Sequence, residues 1–283
     1  MLPIDPQKVT EFLREVGRTV IMPRWRNLQA GDIAEKSGPH DLVTIADKEA
    51  EKALAPMLQG ILPGSLVLGE ESYAADPAVL KALQSEYPVW IIDPIDGTSS
   101  FASGKEDFGT IVALAHRGEV LTGWIHHTIT GDTLTVERGG GAWFRGERLK
   151  MLPSVPFAQM HGIVGIRLQP WLKKYPEKDK PTYDARGFMA CDVYATLLTP
   201  QKLFNRSEGR QYHFRASSGF THPWDDAAGV LAIRESGGEV MNWDGELYRP
   251  DMFDDGLIIA PCYDDCVRLR DWLNPAYLAF RGK

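Results

Sequence analysis

A chain of 283 residues, 43% hydrophobic and 24% charged, has enough apolar side chains to bury a full core, as one large unit or two closely apposed ones. Its formal net charge of -7 and pI near 5.5 speak against a nucleic-acid backbone or an anionic membrane surface as the main partner and favour cations as guests. The opening stretch carries Pro3, Asp5, Pro6 and Lys8 but no apolar run, which predicts no signal peptide, no later membrane span and a cytoplasmic location. Cys191, Cys262 and Cys266 lack disulfide-framework spacing and read as reduced thiols.

Val9, Phe12, Leu13, Val16 and Val20 share one face at helical spacing, predicting an amphipathic helix over 7–21 with Pro23 as terminator. Residues 27–41, rich in Gly, Pro, Ser and charge, read as a mobile loop or a poorly ordered hairpin. A second helix is predicted over 46–59, stopped by Gly60 and Pro63. Apolar runs at 65–68 and 89–92 are each followed at once by carboxylates, as in buried strands that deliver acids at their ends. From 109 to 149, strands are broken by Arg117-Gly118-Glu119, Thr130-Gly131-Asp132, Gly139-Gly140-Gly141 and Arg145-Gly146-Glu147, which predicts an antiparallel meander. The second half mixes strands near 162–167, 239–242 and 257–259 with helices near 192–198, 224–235 and 264–273. Helices and strand runs segregate, so the fold class is layered α+β with two sheets. An N-terminal α+β part, 1–150, and a C-terminal α/β part, 151–283, would form one compact unit.

The densest chemistry is Asp93-Pro94-Ile95-Asp96-Gly97-Thr98-Ser99, directly after the apolar run 89–92. Pro and Gly enforce a tight bend, so that Asp96 returns close to Asp93 beside a hydroxyl. Two carboxylates so placed suit a hard divalent cation such as Mg2+. The bend also frees backbone N–H groups at Gly97–Ser99 for phosphate oxygens, the more so if a helix starts there. Gly69-Glu70-Glu71-Ser72 repeats the logic after 65–68, and Pro223-Trp224-Asp225-Asp226 places acids at a helix start, where capping is their ordinary use. In Asp41-Leu42-Val43-Thr44-Ile45-Ala46-Asp47, Thr44 reads as a helix cap and Asp47 as a carboxylate able to partner a hydroxyl such as Thr98.

Together these segments resemble the inositol monophosphatase family of the lithium-sensitive, Mg2+-dependent phosphatase superfamily. The resemblance spans roughly residues 41–238 and rests on Gly-Glu-Glu-Ser, Asp-Pro-Ile-Asp-Gly-Thr, Pro-Trp-Asp and a Gly-Gly turn as a set. It implies a five-layer αβαβα sandwich of the inositol monophosphatase/fructose-1,6-bisphosphatase type, usually a homodimer. It further implies that Glu70, Asp93 and the Ile95 carbonyl bind a first metal, that Asp93, Asp96 and Asp225 bind a second, and that Glu71 lies in the outer part of the site. Thr98 with Asp47 behind it would orient the attacking water, and the Gly97–Ser99 backbone would hold the phosphate. The activity implied is hydrolysis of a small phosphorylated metabolite, a polyol, sugar or nucleotide phosphate, with two or three Mg2+ ions or Mn2+ in their place. Fructose-1,6-bisphosphatase, histidinol-phosphatase and bisphosphate nucleotidase activities, and a regulatory binding role, are alternatives within the same superfamily.

A haloacid-dehalogenase-type phosphatase is disfavoured because Ile95 stands where that family needs its second Asp. The chain also departs from inositol-hydrolysing relatives, which carry an acid shortly before Pro-Trp-Asp. Here Phe214-Arg215-Ala216-Ser217-Ser218-Gly219-Phe220 has none. Arg215 and Ser218 are the substrate contacts expected in its place, and Arg215, if it faces the pocket, would favour a second anionic group. The helix start that follows the family's central strand is altered as well, to Phe188-Met189-Ala190-Cys191-Asp192.

Overall fold

The computed structural model describes residues 4–38, 41–172, 179–187, 189–199, 210–219, 221–253 and 256–282. Phe188 and Phe220 of the two departures lie outside them. Helix α1 (Pro6–Val16) starts where Asp5 accepts the Gln7 N–H at 2.9 Å, and it buries Val9, Leu13 and Val16. It continues as a π-helical turn, Gly17–Ile21. The segment expected to be loose is an antiparallel hairpin, β1 (Ile33–Gly38) and β2 (Asp41–Thr44), which leads into α2 (Ile45–Ile61).

A seven-stranded sheet follows in unbroken chain order: β3 (Leu66–Gly69), β4 (Val89–Asp96), β5 (Gly109–His116), β6 (Glu119–His127), β7 (Asp132–Glu137), β8 (Gly141–Phe144) and β9 (Glu147–Arg148). Only β3 and β4 pair in parallel; the rest is the predicted meander. Two short helices leave the acid-bearing strand ends, α3 (Glu70–Ala75) after β3 and α4 (Thr98–Ala102) after β4. Strand β4 does not end at Asp93 as expected. It runs on to Asp96, with Pro94 accommodated by a bulge between Asp93 and Asp96.

The second sheet has five strands in the order β11-β10-β12-β14-β13. They are β10 (His161–Gly165), β11 (Thr182–Arg186), β12 (Phe214–Ala216), β13 (Glu239–Asn242) and β14 (Leu257–Ala260). Helices α5 (Gln169–Leu172), α6 (Ala190–Leu198), α7 (Pro223–Glu235) and α8 (Tyr263–Arg281) complete the chain. Helix α8 runs well past the predicted end at 273 and through Pro275, because Ala276 and Tyr277 are buried and the Tyr277 ring stacks on Trp243 at 4.1 Å.

Side-chain alternation assigns the layers. In β4, Trp90 and Ile92 pack with Leu13, Leu54 and Leu58 of α1 and α2, whereas Val89 and Ile91 face Tyr194, Val230 and Ile233 of α6 and α7. In β14, Leu257 and Ile259 join that same middle layer, while Ile258 and Ala260 meet Leu172, Leu269 and Leu273 of α5 and α8. The result is helix, sheet, helix, sheet, helix, the five-layer αβαβα sandwich that the resemblance implied. Close approach in the middle layer needs small residues. A Cβ on Gly229 would lie 2.2 Å from the Tyr194 ring, and one on Gly123 would lie 2.7 Å from Ala228. Among the described residues, no helix is long and apolar enough to cross a membrane.

Candidate active site

The site is built where the strand ends of the first sheet meet the first turns of α2, α6 and α7. At the start of α2 a capping box forms: Thr44 Oγ1 accepts the Ala46 N–H, while Asp47 Oδ2 accepts the Thr44 N–H at 2.8 Å and its hydroxyl at 2.5 Å. The expected partnership of Asp47 with Thr98 is present in the structure. Thr98 Oγ1 lies 3.0 Å from Asp47 Oδ1 and 2.9 Å from the Ile95 carbonyl oxygen. A hydroxyl has one proton for these two acceptors, which leaves its oxygen lone pairs for a third group. Burial pushes the Asp47 carboxyl up to about 6, against the Thr44 hydrogen bonds and with help from the Glu70 charge.

Gly97 adopts a φ of +90°, and a Cβ there would lie 2.8 Å from the Asp107 carbonyl oxygen. Glycine therefore lets the chain turn from β4 into α4 with Thr98 at its first position. Ser99 is exposed on the same turn. Asp96 points across the molecule. Its oxygens accept the N–H groups of Ala190 at 3.2 Å and Cys191 at 2.7 Å, the opening turn of α6. The altered helix start thus still presents donors, and the Cys191 thiol is buried against the Asp96 carboxylate.

Asp225 opens α7 and receives His222 Nδ1 at 3.0 Å. The His222 ring stacks on Trp224, which Tyr73 of α3 and Phe253 flank. The neighbouring acid, Asp226, turns the opposite way, into the core. Tyr194 donates its hydroxyl to Asp226 at 2.6 Å, the His222 N–H reaches it at 3.2 Å, and Arg215 Nη1 stands 4.0 Å away.

One carboxylate oxygen each from Asp93, Asp96 and Asp225 can be chosen so that all lie within 4.8 Å of one another. Asp93 is 2% exposed, and its Oδ1 is buried without a hydrogen-bond donor among the described residues. Burial first, then the charges of Glu70, Asp96, Asp225 and Asp47, hold the Asp93 carboxyl well above the carboxylate range. Burial also raises Asp96, against the Cys191 and Ala190 donors, and raises Asp225 to about 7, against the His222 bond. An all-oxygen donor set with an orphaned buried carboxylate oxygen suits a hard divalent cation, which would supply the missing positive charge.

Glu70 and Glu71 begin α3, with Glu71 9% exposed. Ser218 is buried, 7% exposed, two residues past the end of β12. Arg215, expected as a substrate contact if it faced the pocket, is 4% exposed and directed at Asp226. A guanidinium beside a fully buried carboxylate neutralises it, which explains the inward orientation.

The profile of the inositol monophosphatase family matches residues 5–170. An inositol-1-monophosphatase of Mesorhizobium japonicum is 31% identical over 225 residues, 79% of either chain. The chain belongs to the inositol monophosphatase family. A fructose-1,6-bisphosphatase/inositol-1-monophosphatase of Thermotoga maritima is 27% identical over 263 residues, covering 92% of this chain and 93% of its own length. The solved structure of a Thermotoga maritima IMPase superimposes with a TM-score of 0.74 at 24% identity, covering 96% of this chain and 97% of that one, a likeness of fold. The named relatives are phosphatases acting on small phosphorylated compounds, and membership supports a phosphatase here.

Glu51 and His222 carry no expectation from the sequence, and Asp226 is read there only as one of two acids at a helix start. Glu51 lies one helical turn after Asp47, a spacing that places both on one face of α2. His222 stands three residues before Asp225, and that i, i+3 spacing was the available signal. Nothing in the local sequence separates the roles of Asp225 and Asp226, because the choice depends on Tyr194 and Arg215 from distant segments.

Proposed function

We propose that this member of the family hydrolyses a phosphate monoester of a small polyol, sugar or nucleotide in the presence of Mg2+, with water as the attacking group. The observation that carries this reading is the convergence of Asp93, Asp96 and Asp225 oxygens beside the Thr98–Asp47 pair. Asp93, Asp96, Asp225 and Glu70, with the Ile95 carbonyl, are the groups that would hold the cations, and Glu71 borders them. Bound Mg2+ supplies charge neutralisation for the phosphate and lowers the pKa of water.

The chain's own part is alignment and proton handling. Asp47 Oδ1 accepts the Thr98 proton, which turns the threonine oxygen into an acceptor aimed at the attacking water. The N–H groups of Gly97, Thr98 and Ser99 hold phosphate oxygens at the start of α4. The stretch 214–220 carries no acid that could accept hydrogen bonds from vicinal ring hydroxyls. Such a contact to a charged group is worth about 1.5–3 kcal/mol, so inositol monophosphate is expected to be at least about tenfold poorer than the best substrate. Arg215 is 4% exposed, with its Nη1 4.0 Å from Asp226, and is left out of the substrate set. A panel of inositol, sugar, histidinol and nucleotide phosphates assayed with Mg2+ and with Mn2+ tests this reading. Turnover of at least one, abolished by chelation, is expected; hydrolysis that survives chelation overturns it.

A further inference from the structure

The buried carboxylate of Glu51 belongs to none of the groups assigned so far. It sits on α2 one turn after Asp47, 7% exposed, and its two oxygens accept the N–H groups of Glu71 at 2.8 Å and Ser72 at 2.9 Å. Those are donors of the first turn of α3, which a helix ordinarily satisfies with the side chain of its own N-cap residue. The N-cap of α3 is Gly69, which has no side chain. A Cβ there would lie 2.1 Å from Glu51 Cδ and 2.2 and 2.4 Å from its oxygens. The space of a local cap is filled by a carboxylate brought from another helix.

Burial above all, and then the negative charge of Glu70, oppose the ionisation of Glu51. A buried acid next to another acid is unfavourable unless its hydrogen bonds compensate. Here they fix the backbone on the C-terminal side of Glu70, while β3 fixes it on the N-terminal side. Helix α2 thus governs two corners of the acidic site from one face: Asp47 holds Thr98 after β4, and Glu51 holds the turn carrying Glu70 after β3.

We infer that Glu51 is a positioning residue that caps α3 in place of Gly69 and thereby sets Glu70 against Asp93 for cation binding. This rests on the metal-dependent reading above. The test is calorimetric titration of Mg2+ into the metal-free full chain, with thermal unfolding of the same samples. Glu51→Gln keeps the size of the side chain but turns an N–H of its own toward a helix donor. Its Mg2+ affinity should fall by about 10- to 100-fold, the range seen for groups that orient ligands from behind. The double variant Glu51→Ala, Gly69→Ser opens the space beside residue 69 and supplies a cap from within α3. It should recover Mg2+ affinity to within about threefold of the parent.

A folded Glu51→Gln protein with parental Mg2+ affinity overturns the inference and leaves the phosphatase reading intact. Unfolding of Glu51→Gln in the absence of metal also overturns it, since Glu51 would then serve the fold at large. So does a double variant that is as stable as the parent yet binds Mg2+ no better than Glu51→Gln. A parent chain that neither binds Mg2+ nor hydrolyses any phosphate ester defeats the phosphatase reading, and this inference with it.

Discussion

Two adjacent residues of α7 head two different buried acidic clusters. Asp226 is 1% exposed and surrounded by compensating groups: the Tyr194 hydroxyl, the His222 N–H and the Arg215 guanidinium. Asp225 belongs instead with Asp93 and Asp96, whose nearest charges are other carboxylates. One cluster is completed by the chain itself, and the other is left needing positive charge from outside. Burial of acids is common to both, so burial alone does not mark function; the lack of internal compensation does.

Removing one charged side chain from each cluster should have opposite effects. Asp93→Asn should lower turnover by several orders of magnitude while raising the metal-free melting temperature, because it removes a repelled buried charge. Steady-state assays and calorimetric melting read both effects. A variant with near-parental turnover would remove Asp93 from the chemistry. Arg215→Met should do the reverse. It leaves Asp226 buried without its cation and should destabilise the fold by about 3–5 kcal/mol, with Mg2+ affinity of the surviving folded protein unchanged. Denaturant unfolding measures the first, titration the second; a selective rise in KM for anionic substrates at unchanged stability would instead put Arg215 in the pocket.

Next in size is the hydroxyl pair. Thr98→Ala should reduce kcat by about 100-fold and spare Mg2+ affinity. Asp47→Asn should do likewise, and the double variant should be little worse than either single one. Losses that multiply in full would show that the two side chains act separately.

The smallest effect is one of pH. Asp47 and Asp225 have carboxyls raised from 3.8 to about 6 and about 7 in the folded chain. Between 3.8 and those values the folded state holds protons that the unfolded state has released, so the metal-free protein loses stability as pH rises through about 4 to 7. Saturating Mg2+ should flatten or invert that slope, because cation binding favours the ionised carboxylates. Melting curves at several pH values with chelator and with Mg2+ decide it. A metal-free protein whose stability rises across that window would contradict the raised carboxyls.

The legibility of the sequence divides along similar lines. Asp93-Pro94-Ile95-Asp96, Glu70-Glu71, Thr44 and Asp47 announce their places because local apolar runs and caps position them, and the meander follows from Gly-containing turns two to four residues long. The bulge that carries β4 past Pro94 was hidden because proline reads as a stop. Strands β11 and β12 escaped because neither Thr182–Arg186 nor Phe214–Ala216 carries an apolar run of its own, and both are specified by their pairing with β10. Arg215 carried no local signal of its direction at all. Its orientation is decided by Asp226, eleven positions on in sequence and reached only through the packed middle layer.

The bonds from Ala190 and Cys191 to Asp96 carry a consequence for the order of synthesis. Asp93 and Asp96 leave the ribosome long before the opening turn of α6 and longer still before Asp225. Until then the first sheet has its acids but neither the donors that hold Asp96 nor the last carboxylate of the group. A nascent chain that has formed the first sheet therefore exposes an unfinished anionic cleft, and the proposed cation site is complete only once α6 and α7 have been made and docked.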